Sequence, residues 1–383
     1  MPPDPDDHLL GAIRRGLGVE TDATDVARQV WEHTPAAGTG HLLDSISLVA
    51  AEVIGAGPLE QLLGEPGVSD ILVNGPGRVW IDRGRGPERA PVVLPDEASV
   101  RRLAQRLVTA CGRRLDDAQP FADARLADGT RLHAVLPPLA PQGTHLSLRL
   151  PPRRTFGLDE LVEAGSLPET AADLLREVVA SHVAFVVTGG TGTGKTTVLS
   201  TLLSLVDPSE RIVLVEDASE LRPQHPHVVR LESRLPNAEG AGGVDLSDLV
   251  RQALRMRPDR LVVGEVRGRE VVDLLAAMNT GHEGGCSTIH ANRAEHVPAR
   301  FEALGSSAGL PRPAVHSQLA AAVDAVVHLR RNHDGARRVC GIAVLMVRPD
   351  GLVDAVPAFA FRADEVADGP GAEELRRRMA VGV

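Results

Sequence analysis

The sequence predicts an α/β protein: a parallel sheet between helices, preceded by a small α+β domain. Three observations predict it. Beyond residue 165, short apolar runs (VAFVVTGG, RIVLVED, RLVVGEV) alternate with helical periodicity (KTTVLSTLLSLV, LSDLVRQALRMR, REVVDLLAAMNTG). Before residue 150, strand and hairpin signals surround one strong helix pattern. Between them in character, VVTGGTGTGKTTVL (186–199) joins an apolar strand to a helix through a glycine-rich loop.

Length and composition bound the reading. The 383 residues suffice for two or three domains. Aromatic residues are 2% of the chain, so the core has to be built from Leu, Val, Ile and Ala. A net charge of −10 argues against a dedicated nucleic-acid binder, although clustered arginines act locally. Cys111, Cys286 and Cys340 form no CxxC pair, which fits a reducing compartment and no structural zinc. The opening MPPDPDDHLL is acidic and Pro-rich, unlike a signal peptide, and no apolar run approaches a membrane span. The expectation is a cytoplasmic protein whose membrane contact comes through partners.

Residues 1–40, acidic and broken by Pro and Gly, read as a flexible, partly helical appendage. The α+β domain spans 41–150. In it VSDILVNGPGRVWIDRG is strand, turn, strand, and SVRRLAQRLVTACGRRL is a helix with Val100, Leu103, Leu107, Val108 and Cys111 on one face. ARLADGTRLHAVLPP is a hairpin turning at Asp128-Gly129, and THLSLRL is a further strand. Residues 151–165 read as a linker, opened by the prolines and arginines of PPRRTFG. The α/β domain spans 166–362, its helices stopping at Pro208, Pro258 and Gly281, and 363–383 is read as a tail.

Gly189, four residues, then Gly194, Lys195 and Thr196 satisfy G-x-x-x-x-G-K-[ST]. Gly189, Gly190, Thr191, Gly192, Thr193, Gly194, Lys195, Thr196 and Thr197 are therefore the candidate cradle for a nucleotide such as ATP. Glycines let backbone N–H groups turn toward phosphate oxygens, and the helix adds its positive N-terminus. Lys195 supplies a point charge to the β- and γ-phosphates, and Thr196 a hydroxyl to Mg²⁺. Lys195 is also the sole lysine: the other 40 of the 41 basic residues are arginine. Arginine's planar fork does not fit down such a nest, which explains the exception. With Gly and Ser plus Thr each about a tenth of the chain, a lone lysine gains these three partners by chance roughly once in a thousand, so accident is set aside.

Other candidates surround that loop. Glu216 and Glu220 close RIVLVEDASEL; carboxylates at a strand's C-terminal end hold Mg²⁺ through water or polarise a nucleophile. An acidic loop is the plain alternative in a chain with 51 acids. Glu265 ends RLVVGEV and suits a base or a water-positioning group. His282 and His290 lie in TGHEGGCSTIHAN, where imidazole can meet a phosphate; ligand spacing for a metal is lacking. Arg125, Arg131 and Arg149 suit the spread charge of a transferring phosphoryl group, with a solvated face as the alternative for any one of them.

Taken together, these segments resemble the type II/IV secretion ATPases, and within them the Tad/Flp pilus-assembly branch, sometimes named for conjugal transfer in actinobacteria. GPLEQLLGEPGVSDILVNGP resembles the start of the family's N-domain, GGTGTGKTT its Walker A loop and EDASEL its Asp box. LRMRPDRLVVGEVRG resembles the Walker B region and AMNTGHEGGCSTIHAN the His box. The resemblance covers about 45–360 and implies a RecA-like P-loop NTPase domain that hydrolyses ATP with Mg²⁺. It implies Glu265 as the catalytic glutamate, Glu216 and Glu220 as the Asp box acids, and His282 and His290 near the nucleotide. It further implies that N-domain arginines, here Arg125, Arg131 and Arg149, reach the nucleotide across a domain or subunit boundary. The implied assembly is a homo-hexamer on an inner-membrane platform protein, with ATP turnover moving N-domains against C-domains. The family's four-cysteine zinc insertion is missing, which argues against the type II export and type IVa extension branches. The alternatives are a nucleic-acid translocase or conjugal-transfer ATPase, a pilus retraction motor, and a nucleotide-gated scaffold without turnover.

Overall fold

Apolar side chains recur at alternate positions along most strands between residues 70 and 149, the period of a sheet with one buried face. The computed structural model describes residues 23–33, 46, 49–51, 55–152, 154–237, 239–281, 284–332, 335–362 and 365–381. It divides into two compact units at Pro151/Pro152. In the first, helices α1 (Ala23–His33) and α2 (Glu60–Gly64) precede β1 (Asp70–Asn74), β2 (Val79–Asp82), β3 (Pro87–Arg89), α3 (Glu97–Ala110), β4 (Phe121–Arg125), β5 (Arg131–Val135) and β6 (His145–Arg149). The six strands form an antiparallel sheet in the order β3-β2-β1-β6-β5-β4. One core holds Val100, Leu103, Leu107 and Val108 of α3 together with Ile71, Val73, Leu132, Leu146 and Leu148 of the strands. Asp96 caps α3, its carboxylate accepting the Ser99 N–H at 2.7 Å. Cys111, expected on the buried helix face, instead caps the C-terminus of α3 and is half-buried, because the helix ends at Ala110.

The second unit contains α4 (Leu158–Glu163), α5 (Glu169–Ala180), β7 (Phe185–Thr188), α6 (Lys195–Leu203), β8 (Ile212–Glu216), β9 (Val228–Glu232), α7 (Leu246–Ala253), β10 (Arg260–Val266), α8 (Glu270–Met278) and β11 (Cys286–Ile289). It continues with α9 (Val297–Ser307), α10 (Arg312–Ala322), β12 (Ala325–Arg331), β13 (Arg337–Val347), β14 (Val353–Phe361), β15 (Val366–Asp368) and α11 (Ala372–Val381). Nine strands make one sheet, ordered β15-β14-β13-β12-β7-β11-β10-β8-β9. Strands β7 to β12 are parallel, joined through helices except between β8 and β9, where the long connection 217–227 makes the crossover. Strands β13 to β15 are antiparallel, so the sheet is mixed rather than wholly parallel. The connections 332–336 and 348–352 are too short to carry a crossover helix, and only hairpins close over them. Helices α4, α5, α6 and α11 share a core on one face, and α7 to α10 share a core on the other.

Two sequence boundaries change. Leu158 and Leu161, inside the expected linker, are buried in the second unit's core, and the Thr155 hydroxyl donates to the Arg222 carbonyl. The segment from Thr155 onward is therefore part of the second unit. Residues 363–383, read as a tail, include β15 and α11. Ala372, Leu375 and Met379 of α11 are buried at helical spacing, and Arg378 donates to Asp324 Oδ1 (2.9 Å) and to the Leu345 carbonyl (2.7 Å). The charged residues between them hide that stripe in a short segment. No helix among the described residues is long and apolar enough to cross a membrane. Leu375→Ala is expected to destabilise the second unit by about 2–5 kcal/mol. Urea unfolding followed by circular dichroism checks this; an unchanged midpoint would mean α11 is not docked.

Candidate active site

β7 is wholly buried, and the chain leaves it through residues 189–194 before α6 starts at Lys195. Gly192 (φ 71°) and Gly194 (φ 94°) take the left-handed backbone that L side chains resist and that makes an anion nest. Gly189 is required by crowding: a Cβ there would stand 2.6 Å from both the Leu329 carbonyl oxygen and Thr193 Oγ1. Thr193 closes the loop by donating to the Gly190 carbonyl at 2.9 Å. Thr191 and Gly192 are exposed at the crest, and Thr196 and Thr197 are half-buried on the first turn of α6.

Lys195 is only 8% exposed. Its Nζ lies 3.2 Å from the carbonyl oxygens of Gly189 and Gly190 and 3.3 Å from both ring nitrogens of His290. Burial depresses the Lys195 pKa, and the Glu265 charge opposes that depression. His290, one residue past β11, has Nε2 at 2.8 Å from Glu265 Oε1, in ion-pair range. The contact is not aligned as a hydrogen bond, and that buried oxygen makes none. Burial first, then the Lys195 charge, lower the His290 pKa, so the ring is neutral at pH 7 and can accept from Lys195.

Glu265 Oε2 accepts a hydrogen bond from Arg267. Burial opposes the charge on Arg267, yet Glu265, Asp217 and Glu220 together hold its pKa above the usual value. Arg267 is thus a cation shared by the acids of β10 and of the loop after β8. Glu270 fixes its backbone by accepting the N–H groups of Arg267 (2.6 Å) and Gly268 (2.8 Å). Arg267 belongs to no local motif; its one signal in the sequence is its place two residues beyond a strand-terminal candidate carboxylate.

Glu216 ends β8 and is buried, and burial pushes its pKa up to about 7 against the pull of two backbone N–H groups. Those are the N–H groups of Glu220 and Leu221, each 3.0 Å from Oε1. Oε2 is buried without a hydrogen-bond partner. A Cβ on Gly264 would stand 2.7 Å from Glu216 Cγ, so glycine before Glu265 is what admits the neighbouring carboxylate. Glu220 is half-buried, and its charge acts on both Lys195 and Arg267.

In the first unit, register sets Arg125 opposite Arg131 and Arg131 opposite Arg149. Directly opposed residues share a sheet face, so the three arginines form one row across β4, β5 and β6. Arg149 Nε lies 3.0 Å from Asp70 Oδ1 on β1. The structure thus gathers the loop, Glu216, Glu220, Glu265 and His290 in the second unit, and the three arginines with one another in the first. His282 lies outside the described residues.

Among the described residues, no three His, Cys, Asp or Glu are placed to cage a metal. Mg²⁺ needs no such cage, since it keeps waters and phosphate oxygens as ligands. The orphaned Glu216 oxygen and the Thr196 hydroxyl are of the right chemistry to hold it. The second unit also has a cavity of about 570 Å³ where β13 starts and β14 ends, lined by Val162, Leu167, Thr170, Arg338, Val339 and Phe361 among others. Arg338 Nε there is buried without a partner.

A parallel sheet whose strands deliver a glycine nest, a buried lysine and strand-terminal carboxylates to one end defines a RecA-like P-loop NTPase domain, here following a small α+β unit. Residues 52–366 match the type II/IV secretion system protein family, and the chain belongs to that family of secretion ATPases. It is 52% identical over 349 residues to a Mycobacterium tuberculosis protein provisionally named for conjugal transfer, covering 90% of this chain and 99% of that one. The conjugal transfer protein TrbB of Rhizobium radiobacter is 32% identical over 275 residues, 70% of this chain and 81% of that protein. Among solved structures, the pilus retraction motor PilT with bound ADP shares the fold: TM-score 0.52, 20% identity, over 84% of this chain and 85% of that one.

The Glu216 carboxyl has a folded pKa (about 7) above the ordinary 4.5 of a glutamate, so the native state holds the extra proton between those values. Its contribution to stability therefore falls as pH rises from about 4.5 to 7. Glu216→Gln keeps the oxygen that accepts the two backbone N–H groups and removes the buried charge. At pH 8 the variant should be more stable by about 3 kcal/mol, with the difference vanishing near pH 4. Thermal melts of both proteins across this range check it; a pH-independent difference would refute the assignment.

Proposed function

We propose that this protein is a Mg²⁺-dependent ATPase working as a homo-hexameric ring on the cytoplasmic side of a cell membrane. Its partner there would be an inner-membrane platform protein, and its work Tad-type pilus assembly or type II/IV secretion. The observation that carries this reading is the Lys195–His290–Glu265 line at the phosphate loop. Lys195 offers its charge to the β- and γ-phosphates, while Glu265 orients a water for in-line attack on the γ-phosphorus. The bond from γ-phosphorus to the bridging oxygen breaks, and ADP and phosphate leave. Neutral His290 touches both residues and relays a change at one to the other. Mg²⁺, when bound, neutralises charge on the phosphate oxygens, with Thr196 and Glu216 as its protein-side groups, partly through water.

Two further features support the reading. The Arg125–Arg131–Arg149 row gathers three guanidinium groups on one sheet face, a chemistry that suits an anion such as a nucleotide phosphate. The cavity by Phe361 lies at the loop's end of the sheet, because β12 pairs in parallel with β7 and β13 returns from its tip. Its lining sets Val162, Leu167, Val339 and the Phe361 ring beside Glu169, Thr170 and Arg338, a mixture that suits the flat faces and polar edge of a nucleobase. The names of the mycobacterial and rhizobial relatives favour a second reading, in which the same ATPase serves conjugal transfer.

ATPase rate per protomer should rise steeply with protein concentration and then level, as a site completed between subunits requires. A flat rate from a species shown to be monomeric would sink the ring. Glu265→Gln should lower kcat by at least about 100-fold while ATP still binds, and Lys195→Ala should lose binding. Phe361→Ala should weaken ATP but not tripolyphosphate. Stimulation of turnover by single-stranded DNA at low salt would move the conclusion to nucleic-acid translocation.

A further inference from the structure

The hairpin of β12 and β13 is held against the phosphate loop by two constraints. β12 pairs in parallel with β7 with His328 opposite Thr188, so Leu329 comes next to Gly189 where the chain leaves β7. Gly189 and the Leu329 carbonyl are then so close that any side chain at 189 would collide. The hairpin cannot drift from the loop while that packing lasts.

Register next sets Arg331 opposite Arg337 and Arg330 opposite Arg338. Two successive arginine pairs at one hairpin tip gather four guanidinium groups in one place, a concentration of positive charge that draws an anion. Arg331 and Arg337 are exposed, and they are the pair beside the loop. A Cβ on Gly192 would lie 4.0 Å from Arg331 Nη1, and one on Gly194 would lie 3.6 Å from Arg337 Cδ. Gly192 stands at the crest of the nest and Gly194 at its junction with α6. In loops of this kind the crest cradles the α- and β-phosphates, while the lysine reaches the β- and γ-phosphates.

We propose that Arg331 and Arg337 form a clamp, supplied by the same chain as the loop, on the α- and β-phosphates of the nucleotide. The inference rests on the ATPase reading above and adds residues to it. Guanidinium forks can take two phosphate oxygens each, which an ammonium cannot do in that geometry. When the bond to the γ-phosphorus breaks, negative charge grows on the β-phosphate of departing ADP. A clamp there binds ADP and also stabilises the leaving group, whereas Glu265 and His290 act at the γ end.

The test is equilibrium binding of ADP and ATP to the full-length protein by calorimetry, at low and moderate salt. Wild type is compared with Arg331→Ala/Arg337→Ala, Arg331→Lys/Arg337→Lys and Lys195→Ala. The double alanine variant should weaken ADP and ATP alike, by tenfold or more, with a shallower salt dependence and a lower kcat. The double lysine variant should recover part of the affinity. Unchanged thermal midpoints confirm that the exposed substitutions leave the fold intact. ADP affinity within twofold of wild type, while Lys195→Ala abolishes binding, would overturn the clamp and leave the ATPase reading standing. Loss of ATP binding alone would overturn it too, by moving the pair to the γ-phosphate. Wild-type protein that binds neither nucleotide would instead refute the ATPase reading itself.

Discussion

An ammonium group 8% exposed stays charged only if oxygen atoms surround it, and at Lys195 two of them come from the loop that carries it. That requirement organises the whole end of the sheet. The carbonyls of Gly189 and Gly190 face inward only while Thr193 closes the loop and Gly189 packs on Leu329. Leu329 is placed by the pairing of β12 with β7. His290 fills the remaining side of the ammonium from the end of β11. A change in any of these elements is therefore felt at one nitrogen atom.

The parallel arrangement explains why so few residues suffice. β7, β8, β10 and β11 run in one direction, so their C-terminal ends deliver Lys195, Glu216, Glu265 and His290 to the same edge. Glu216 and Glu265 then differ through surroundings alone. Glu216 is buried, caps a backbone turn with one oxygen and keeps a raised pKa. Glu265 meets a guanidinium at one oxygen and an imidazole at the other. The same side chain is thus a structural cap with a spare oxygen at the end of one strand and the partner of a guanidinium and an imidazole at the end of the next.

Local features of the site were legible because each is a pattern over a few residues. The G-x-x-x-x-G-K-T spacing, the apolar strands and the strand-terminal acids declare themselves without tertiary information. What stayed hidden depends on register or on long-range packing. Arg125, Arg131 and Arg149 could be named singly, but their alignment in one row follows from the pairing of three strands. Arg267, Arg331 and Arg337 were lost among 40 arginines, where composition removes all contrast. The antiparallel strands β13 to β15 and the docked helix α11 depend on connections too short for a crossover and on long-range packing, which no local pattern announces.

The arginine-only surface has a practical corollary. Apart from the terminal amine, every primary amine in the chain is the one at Lys195, and burial lowers its pKa so that more of it is in the nucleophilic, uncharged form than in an ordinary lysine. Acylating reagents selective for amines thus have one side-chain target, sited where phosphates would bind. The extent of acylation, read by mass spectrometry, becomes an occupancy meter for that pocket, and the protein carries it without any engineered label.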